Sequence, residues 1–404
     1  MNSTDDTTTV AIVNFHFAHN HGAVLQALAL QDRLQALGCS VRTIDYRPRG
    51  HAQQYAVFPD PIASGWWKYR GSRATGHGIV SSAKRALSRG LRSILQWRDH
   101  EARRTRDDLF TRYVTEHLPL TRRYTSLRAL RSDPPAADLY VSGSDQIWNP
   151  GNTGGVDPVY FLAFGRSDTY RASYAASPCE LDVALHRQHL ENLTRNMDSV
   201  SLRESDLKAE IGVISQKPID IVADPVLLMT ADDFSRYRSQ IDRPQRPYIV
   251  IYAVRTKATI PVVARLVQGL LLKQSYVVID LSLDPSQWPF PVTRPSNLSP
   301  GAFISYIAES SFVVSNSFHA TVFSLLFERE FAVATEPETA QRLNELLTQT
   351  GLLERAFMPD SVGYAQLEPL RYEMVRDKIE AMRSSGLEYL NDIVGASRQP
   401  RIGE

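Results

Sequence analysis

The chain has 404 residues, of which 43% are hydrophobic and 22% charged, a composition typical of soluble globular proteins and not of disordered or fibrous ones. Its 45 Lys and Arg residues balance 44 Asp and Glu residues, so the net charge of +1 does not favour nucleic acid as a partner. Two cysteines are too few for a disulfide framework or a zinc cluster. Because one hydrophobic core stops growing near ~250–300 residues, we expect at least two domains.

The first predicted unit is a strand, a helix and a strand within about forty residues. Residues 10–13 are predicted to be a short buried strand, and apolar residues recur with a helical period from Gly22 to Leu37. Gly38 suits a left-handed helix C-cap, and residues 40–46 form the second predicted strand. This order is typical of the opening of a parallel, doubly wound sheet.

Residues 51–135 are polar, poor in strand signals and rich in arginine. From Lys68 to Arg131 there are 16 Lys or Arg and 5 Asp or Glu residues, an excess of 11 positive charges. Three tryptophans lie within residues 51–135: Trp66, Trp67 and Trp97. We predict an inserted set of helices here. A basic region is usually a solvated surface, but the tryptophans leave open a second interpretation, docking on anionic lipid headgroups or on a lipid-linked substrate through residues 68–131.

The sheet is predicted to resume at residues 138–141, and a polar segment from Met229 to Pro247 marks a domain crossing. Beyond it, predicted strands and helices alternate again: strands 248–254, 276–281, 311–315 and 330–334, and helices 259–273, 300–309, 319–328 and 337–349. We therefore predict an α/β fold with two Rossmann-like domains facing a cleft. The predicted domains are residues 8–228 with the helical insertion at about 51–135, residues 229–362, and closing helices with a tail over 363–404.

The first candidate site loop is Asn20, His21 and Gly22, where the first helix begins. The free N–H groups of a helix N-terminus form an anion site, and ligands of doubly wound folds bind at the carboxyl ends of the strands. The alternative is that Asn20 only caps the helix and Gly22 only packs. No GxGxxG motif is present, so a dinucleotide is not indicated.

The second candidate loop follows the strand at 138–141. Gly143 allows a sharp bend, after which Ser144, Asp145 and Gln146 present a hydroxyl, a carboxylate and an amide. Trp148 either packs under this loop or stacks on a sugar ring. The alternative for the whole loop is an Asp-capped helix start above a core tryptophan.

The third candidate loop contains Asn316, Ser317, Phe318 and His319, between a predicted strand and a predicted helix. A histidine in the first turn of that helix points into the strand-end crevice and can give or take a proton near pH 7. The alternative is a packed, structural histidine.

Arg203 ends another predicted strand, and its guanidinium can fork onto a phosphate or a carboxylate, or can pair with Glu204 or another acid. The sequence has no GxSxG, HExxH, P-loop or CxxC motif, and no Asp-x-Asp pair at a strand end. We therefore expect no metal and no cofactor.

These loops together resemble the polysaccharide pyruvyl transferase family over most of the chain. The resembling segments, in chain order, are NHGAVLQ at 20–26, IDYRP at 44–48, GSDQIWNP at 143–150, SYAAS at 173–177, SLRE at 201–204, DPVLL at 224–228, NSFH at 316–319 and RLNELL at 342–347. The resemblance implies two Rossmann-like domains similar to those of GT-B glycosyltransferases. It also implies transfer of pyruvate from phosphoenolpyruvate, as co-substrate, to a sugar hydroxyl pair of a polysaccharide precursor, with formation of a ketal and release of phosphate.

The resemblance further implies that His319 is the catalytic acid or base and that Arg203 is an anion ligand. Some family members have Arg-Leu-His where this chain has Ser317, Phe318 and His319, so one guanidinium is missing here. We expect Arg342 to supply the corresponding phosphate contact. The expected acceptor is a nucleotide-linked or lipid-linked sugar.

Two other functions stay open from the sequence. One is a GT-B-like glycosyltransferase that uses a nucleotide sugar, and the other is a non-catalytic subunit that binds a sugar or a nucleotide. The acidic residues Asp5 and Asp6 stand where a secretion signal would carry Lys or Arg, so we expect a cytoplasmic protein. The basic region adds a peripheral position at the inner face of the membrane as a second interpretation.

Overall fold

A computed structural model describes residues 7–58, 100–254, 258–284, 286–336, 341–361 and 368–399. The chain divides into two compact units, the first made of Met1–Leu228 with Ser384–Glu404 and the second of Met229–Arg383. Trp66, Trp67 and Trp97, and half of the basic region 68–131, lie outside the described residues.

The first unit is built on a parallel sheet with the strand order β3-β2-β1-β4-β5. These strands are β1 Thr9–Val13, β2 Ser40–Tyr46, β3 Leu120–Tyr124, β4 Leu139–Ser142 and β5 Tyr170–Ser173. Two further parallel strands, β6 Val200–Leu202 and β7 Ile219–Ile221, continue beyond β5 through bridges from Ala172 to Ser199 and from Ala176 to Leu202. This is the strand order of a Rossmann fold, and the chain switches direction between β1 and β4.

The helices of the first unit begin with α1 His21–Ala36, which is buried along most of its length and packs on the 3-10 helix Pro225–Leu228. The others are α2 Arg49–Ala52, α3 His100–His117, α4 Leu127–Ser132, α5 Pro150–Thr153, α6 Val183–Thr194 and α7 Lys208–Ser215. Residues 14–20 join β1 to α1 and begin with the polar residue Asn14, so that polar side chains follow the strand end at once.

The described part of the predicted insertion contains a strand as well as helices. We predicted helices throughout residues 51–135, but Leu120–Tyr124 pairs with β2 as an edge strand of the sheet. Arg122 and Arg123 masked this strand in the sequence, because an edge strand is solvated on one side and tolerates charged side chains that a central strand does not.

The second unit is also built on a five-stranded parallel sheet, with the order β12-β11-β10-β8-β9. Its strands are β8 Tyr248–Tyr252, β9 Val277–Asp280, β10 Phe312–Ser315, β11 Glu330–Ala334 and β12 Ala356–Phe357. Its helices are α8 Ala231–Ser235, α9 Ile260–Lys273, α10 Pro300–Glu309, α11 Phe318–Leu326 and α12 Gln341–Thr350. Counted within the unit, this is the doubly wound order 2-1-3-4-5, whose switch point lies between β8 and β10. The prediction of two Rossmann-like α/β domains is confirmed.

The last helix, α13 Glu373–Ser397, contributes residues to both units. In the first unit, Tyr389 donates a hydrogen bond to the carbonyl of Ser173 at 2.9 Å. A Cβ added to Gly386 would lie 2.6 Å from side-chain atoms of Leu228 and Tyr174, so this helix packs closely on the first unit. Within the described ranges, no helix combines the length and the hydropathy that a membrane crossing requires.

We predict that Gly165→Ala destabilises the first unit much more than Gly38→Ala, although both glycines have a left-handed backbone, with φ of +82° and +81°. A Cβ at Gly165 would lie 2.3 Å from the buried ring of Tyr140, whereas a Cβ at Gly38 would meet nothing within 4 Å. Both variants should lose ~1–2 kcal/mol to backbone strain, and Gly165→Ala should lose about 1–3 kcal/mol more to overpacking. Urea unfolding of both variants measures the difference, and equal losses would contradict the predicted steric overlap.

Candidate active site

The switch point of the first sheet brings the ends of β1 and β4 into close contact. A Cβ added to Gly143 would lie 3.2 Å from the Cβ of Asn14, the residue that follows β1. Gly143 is therefore needed for close approach of the two loops, and not for a left-handed backbone, which the structure does not give it. The next residue, Ser144, is fully buried at the same place.

Two non-glycine residues at this edge have a left-handed backbone. Asp145, after β4, has a φ of 77°, and Ala175, after β5, has a φ of 49°. The Asp145 side chain accepts a hydrogen bond from the Gln146 N–H at 2.8 Å, and its carbonyl accepts one from the Ser177 N–H at 3.0 Å. Residues held in this region cost of order 1–3 kcal/mol each and concentrate at functional sites. Two of the six such non-glycine residues in the described ranges lie at the edge that the sequence also indicated.

Arg203 is the centre of a buried ion cluster at the end of β6. Its Nε donates to Glu204 Oε1 at 2.8 Å, and its Nη1 donates to Asp224 Oδ2 at 3.0 Å. The Ser144 hydroxyl lies 3.4 Å from the same Asp224 oxygen. Burial acts to lower the pKa of Arg203, but the carboxylates of Glu204, Asp224 and Asp145 outweigh it and hold that pKa above its usual value. The pairing with acids that the sequence left open is thus present in the structure.

Several buried polar atoms at this edge have no hydrogen-bond partner within the described part of the chain: Asn14 Nδ2, His16 Nδ1, Ser177 Oγ and Glu204 Oε2. They follow β1, β5 and β6, which share one carboxyl edge. Buried polar groups in native proteins are nearly always paired, so a concentration of unpaired ones indicates atoms that a bound substrate or water would satisfy.

His16 and Asp45 form a contact that the sequence did not single out. His16 is fully buried, and its Nε2 lies 3.0 Å from Asp45 Oδ1. Burial lowers the pKa of His16 below 6.5. Burial works against the charge of Asp45, but hydrogen bonds from His16 and Arg47 outweigh it and hold the pKa of Asp45 far below its usual value. We infer a neutral imidazole whose Nε2–H donates to the carboxylate. The sequence signal that could have found this contact is a polar residue near the end of each of two neighbouring strands, β1 and β2.

In the first loop, the structure shows the capping arrangement. Asn20 accepts a hydrogen bond from the Ala23 N–H at 3.3 Å, and Gly22 is buried. His21 is also buried, and its ring packs against Phe110 with the ring centres 5.0 Å apart. The anion-binding role of this helix start stays a prediction.

The second loop is held together by two of the residues that we singled out. Gln146 Oε1 accepts hydrogen bonds from Asn149 at 2.9 Å and from Asn152 at 2.6 Å. Trp148 is 2% exposed and stacks on Phe161 with the ring centres 4.5 Å apart. Of the two positions that we left open for Trp148, the packed one is therefore observed. Ser144 and Asp145 are the members of this loop that lie beside the Arg203 cluster.

The third loop lies at the switch point of the second sheet. The Asn316 side chain accepts a hydrogen bond from the Val254 N–H at 2.6 Å and donates to the Val254 carbonyl at 3.0 Å, which fixes the loop after β8 to the loop after β10. Ser317 caps α11. His319 is 7% exposed in the first turn of α11, with its ring edge-to-face to Phe318.

Arg342 is half-buried in the first turn of α12, the helix that comes after β11 along the chain. The second unit therefore places the histidine and this arginine on helices that follow two neighbouring strands, β10 and β11. Over the described ranges, no group of three or more His, Cys, Asp or Glu side chains is placed to hold a metal ion.

Residues 20–335 match the family model described as polysaccharide pyruvyl transferase. No curated protein matches the chain significantly. Among solved structures, the glycosyltransferase SnogD from Streptomyces nogalater is similar with a TM-score of 0.46 and 12% identity, over 97% of this chain and 100% of that chain. The UDP-GlcNAc 2-epimerase from Methanocaldococcus jannaschii, in complex with UDP-GlcNAc and UDP, is similar with a TM-score of 0.46 and 9% identity, over 95% of this chain and 98% of that chain.

We predict that Arg203→Ala destabilises the first unit by about 3–5 kcal/mol, because it leaves the buried carboxylates of Glu204 and Asp224 without their cation. Arg203→Lys should recover part of this loss, since it keeps the charge but not the two-pronged contact. Urea unfolding gives both values. The exposed pair of Arg166 and Asp168 provides the control, and Arg166→Ala should leave the unfolding free energy nearly unchanged. A similar small effect at Arg203 would contradict the cluster's structural role.

We predict that the free energy of unfolding falls as the pH drops below about 6.5, because the unfolded chain protonates His16 while the folded chain keeps it neutral. Asp45 should add a further loss below about pH 4, since its carboxylate resists protonation only in the folded state. Urea unfolding between about pH 7.5 and pH 3 measures both losses. His16→Asn should flatten the slope between pH 6.5 and 5.0, whereas His189→Asn, at an exposed position, should not. An unchanged slope in His16→Asn would assign the dependence to another group.

Proposed function

Because the chain belongs to the polysaccharide pyruvyl transferase family, we propose that it moves pyruvate from phosphoenolpyruvate to two hydroxyl groups of a sugar in a polysaccharide precursor. The product is a cyclic ketal, and inorganic phosphate is released. The precursor sugar is nucleotide-linked or lipid-linked, and no cofactor takes part. The matched region, residues 20–335, includes the three candidate loops and Arg203.

The reaction requires a proton at carbon and the removal of a proton from oxygen. A proton added to the methylene carbon of phosphoenolpyruvate leaves a positive centre at C2, which the first sugar hydroxyl attacks as it loses its own proton. Phosphate then leaves, and the neighbouring hydroxyl closes the ring and loses its proton. One group that gives and takes protons near neutral pH serves these steps, and histidine is the side chain best suited to that role.

The observation that carries the proposal is the position of His319. It occupies the first turn of α11 directly after β10, at the switch point of a doubly wound sheet, where ligands of such folds bind. The Asn316 amide fixes the loop that precedes it to the end of β8. A site for proton transfer needs a catalytic group in a fixed position, and this loop provides one. Arg342 supplies a guanidinium for the phosphate.

We assign a second role to Arg203 besides the anion binding that the family resemblance implies. Two of its donors are engaged by Glu204 and Asp224, so it fixes the carboxylates in place. Glu204 Oε2 has no hydrogen-bond partner in the described residues, which leaves it able to accept a hydrogen bond from a sugar hydroxyl. Arg203 is in this respect a positioning residue.

We predict that His319→Ala lowers turnover by roughly 10²–10⁴-fold, the usual effect of losing a general acid or base. Binding of phosphoenolpyruvate should change less, because proton transfer contributes mainly in the transition state. The measurement is phosphate release from phosphoenolpyruvate with a panel of nucleotide-linked and lipid-linked sugars, and the product is identified by the mass of the added pyruvate.

His319→Asn tests whether the residue only packs, since a packing role would be largely retained by the smaller polar side chain. His189→Ala is the control, because His189 is an exposed histidine on α6 and belongs to none of the candidate loops. A folded His319→Ala protein with near-normal turnover would remove His319 from the chemistry. Release of a nucleoside diphosphate from a nucleotide sugar, without use of phosphoenolpyruvate, would replace the proposed reaction with glycosyl transfer.

A further inference from the structure

A cavity of about 330 Å³ opens in the first unit beside the carboxyl ends of β1, β2 and β3. Three arginines line it, Arg47 after β2, Arg49 at the start of α2, and Arg123 on β3. The proposed chemistry at His319 and at the Arg203 cluster uses none of these residues. The volume lies in the range of small-molecule binding sites.

One buried carboxylate holds two of these guanidinium groups. Arg47 Nε donates to Asp45 Oδ1 at 2.5 Å, and Arg123 Nε donates to Asp45 Oδ2 at 3.1 Å. Each arginine is therefore fixed through Nε alone. The Nη groups of both make no hydrogen bond to any residue that the structure describes, so four strong donor groups stay available at fixed positions.

Arg49 adds a third guanidinium that makes no ion pair and no side-chain hydrogen bond within the described ranges. Aromatic rings, Phe17 and Tyr55, line another part of the cavity with their centres 6.1 Å apart. The cavity thus combines a cationic part with an aromatic part.

The negative charges near the cavity are already engaged. Asp45 is buried and bound by His16 as well as by the two arginines. Asp107, which lines the cavity, accepts a hydrogen bond from His19 at 3.0 Å. Three guanidinium groups thus face the two carboxylates of Asp45 and Asp107, so the cavity keeps a net positive charge. The hydroxyl groups of a neutral sugar need no such charge, whereas forked guanidinium donors match the oxygens of a phosphate group.

We propose that Arg47, Arg49 and Arg123 form a binding site for the diphosphate group of the acceptor. This inference rests on the proposed pyruvyl transfer and specifies its acceptor as a sugar diphosphate and not a neutral polysaccharide. The diphosphate anchors the acceptor at the β1–β3 side of the first unit. Nucleotide-linked and lipid-linked sugars both contain a diphosphate, so the site binds the group that the two have in common.

Titration calorimetry with inorganic pyrophosphate tests the site without any turnover. Arg123→Ala and Arg49→Ala should each weaken pyrophosphate binding roughly ten- to a hundredfold, the effect of losing a charge-assisted contact. Arg49 is exposed and makes no ion pair and no side-chain hydrogen bond within the described ranges, so its variant should test the site at little cost to the fold. Arg122→Ala is the matched control, because Arg122 is the next residue on β3, is similarly exposed, and pairs with Asp133 away from the cavity. Its binding should match that of wild type.

Uridine diphosphate and farnesyl diphosphate then distinguish the two sources of the group. Tighter binding of the first than of pyrophosphate assigns a nucleotide-linked acceptor, and tighter binding of the second assigns a lipid-linked one. Pyrophosphate that fails to bind to the wild-type protein, or that binds to Arg49→Ala and Arg123→Ala as tightly as to wild type, overturns the proposal. Displacement of pyrophosphate by phosphoenolpyruvate also overturns it, because the site would then belong to the donor.

Two outcomes distinguish the diphosphate site from the proposed pyruvyl transfer. Phosphate release from phosphoenolpyruvate in a protein that does not bind pyrophosphate would overturn the diphosphate site and leave the reaction standing. Arginine-dependent binding of pyrophosphate in a protein that never consumes phosphoenolpyruvate would support the anion site and remove the pyruvyl transfer on which the acceptor assignment rests.

Discussion

The buried carboxylate of Asp45 is the constraint on which the β1–β3 side of the first unit depends. A buried charge is costly unless it is paired and hydrogen-bonded, and Asp45 meets that requirement with side chains from three strands or their ends: His16, Arg47 and Arg123. The same contacts orient the imidazole of His16, which burial keeps neutral, and hold two guanidinium groups through Nε so that their Nη donors stay open. One desolvated anion thus organises groups that are far apart in the sequence, and the shape of the cavity follows from it.

The opposite arrangement occurs farther along the same sheet. At the end of β6, a buried cation, Arg203, is surrounded by carboxylates, whereas at the end of β2 a buried carboxylate is surrounded by cations. Both centres are desolvated, so neither charge is screened as it would be in water. The carboxyl edge of the first sheet is therefore polarised along its length. Guanidinium hydrogen-bond donors are in excess near β3, and carboxylate acceptors are in excess near β7. A ligand with one anionic end and one hydroxyl-rich end has a preferred direction along this edge.

The sequence predicted the fold better than the roles of its polar residues. Hydrophobic periodicity located β1, α1 and β2 and the alternation of the second unit, because buried elements leave a pattern. It failed at β3, where two arginines on an edge strand hide the pattern. The site loops were located because strand ends meet at one edge, yet nothing in the sequence shows that Gln146 and Asn316 hold loops together, or that Asp45 meets a histidine 29 residues away. Such partners are set by tertiary packing, which local patterns do not encode.

The C-terminal helix gives the first unit a discontinuous sequence. Its strands are complete by Ile221, but Tyr389 and the tight packing at Gly386 come only after the whole second unit. During synthesis the chain emerges from the N-terminus at about 5–20 residues per second, so the Rossmann-like sheet with the polarised edge exists for many seconds without the helix that covers Tyr174 and Leu228. Those apolar side chains are open to misassociation during that interval. We therefore expect the protein to depend on chaperones during its synthesis more than the small size of its two parallel sheets would suggest.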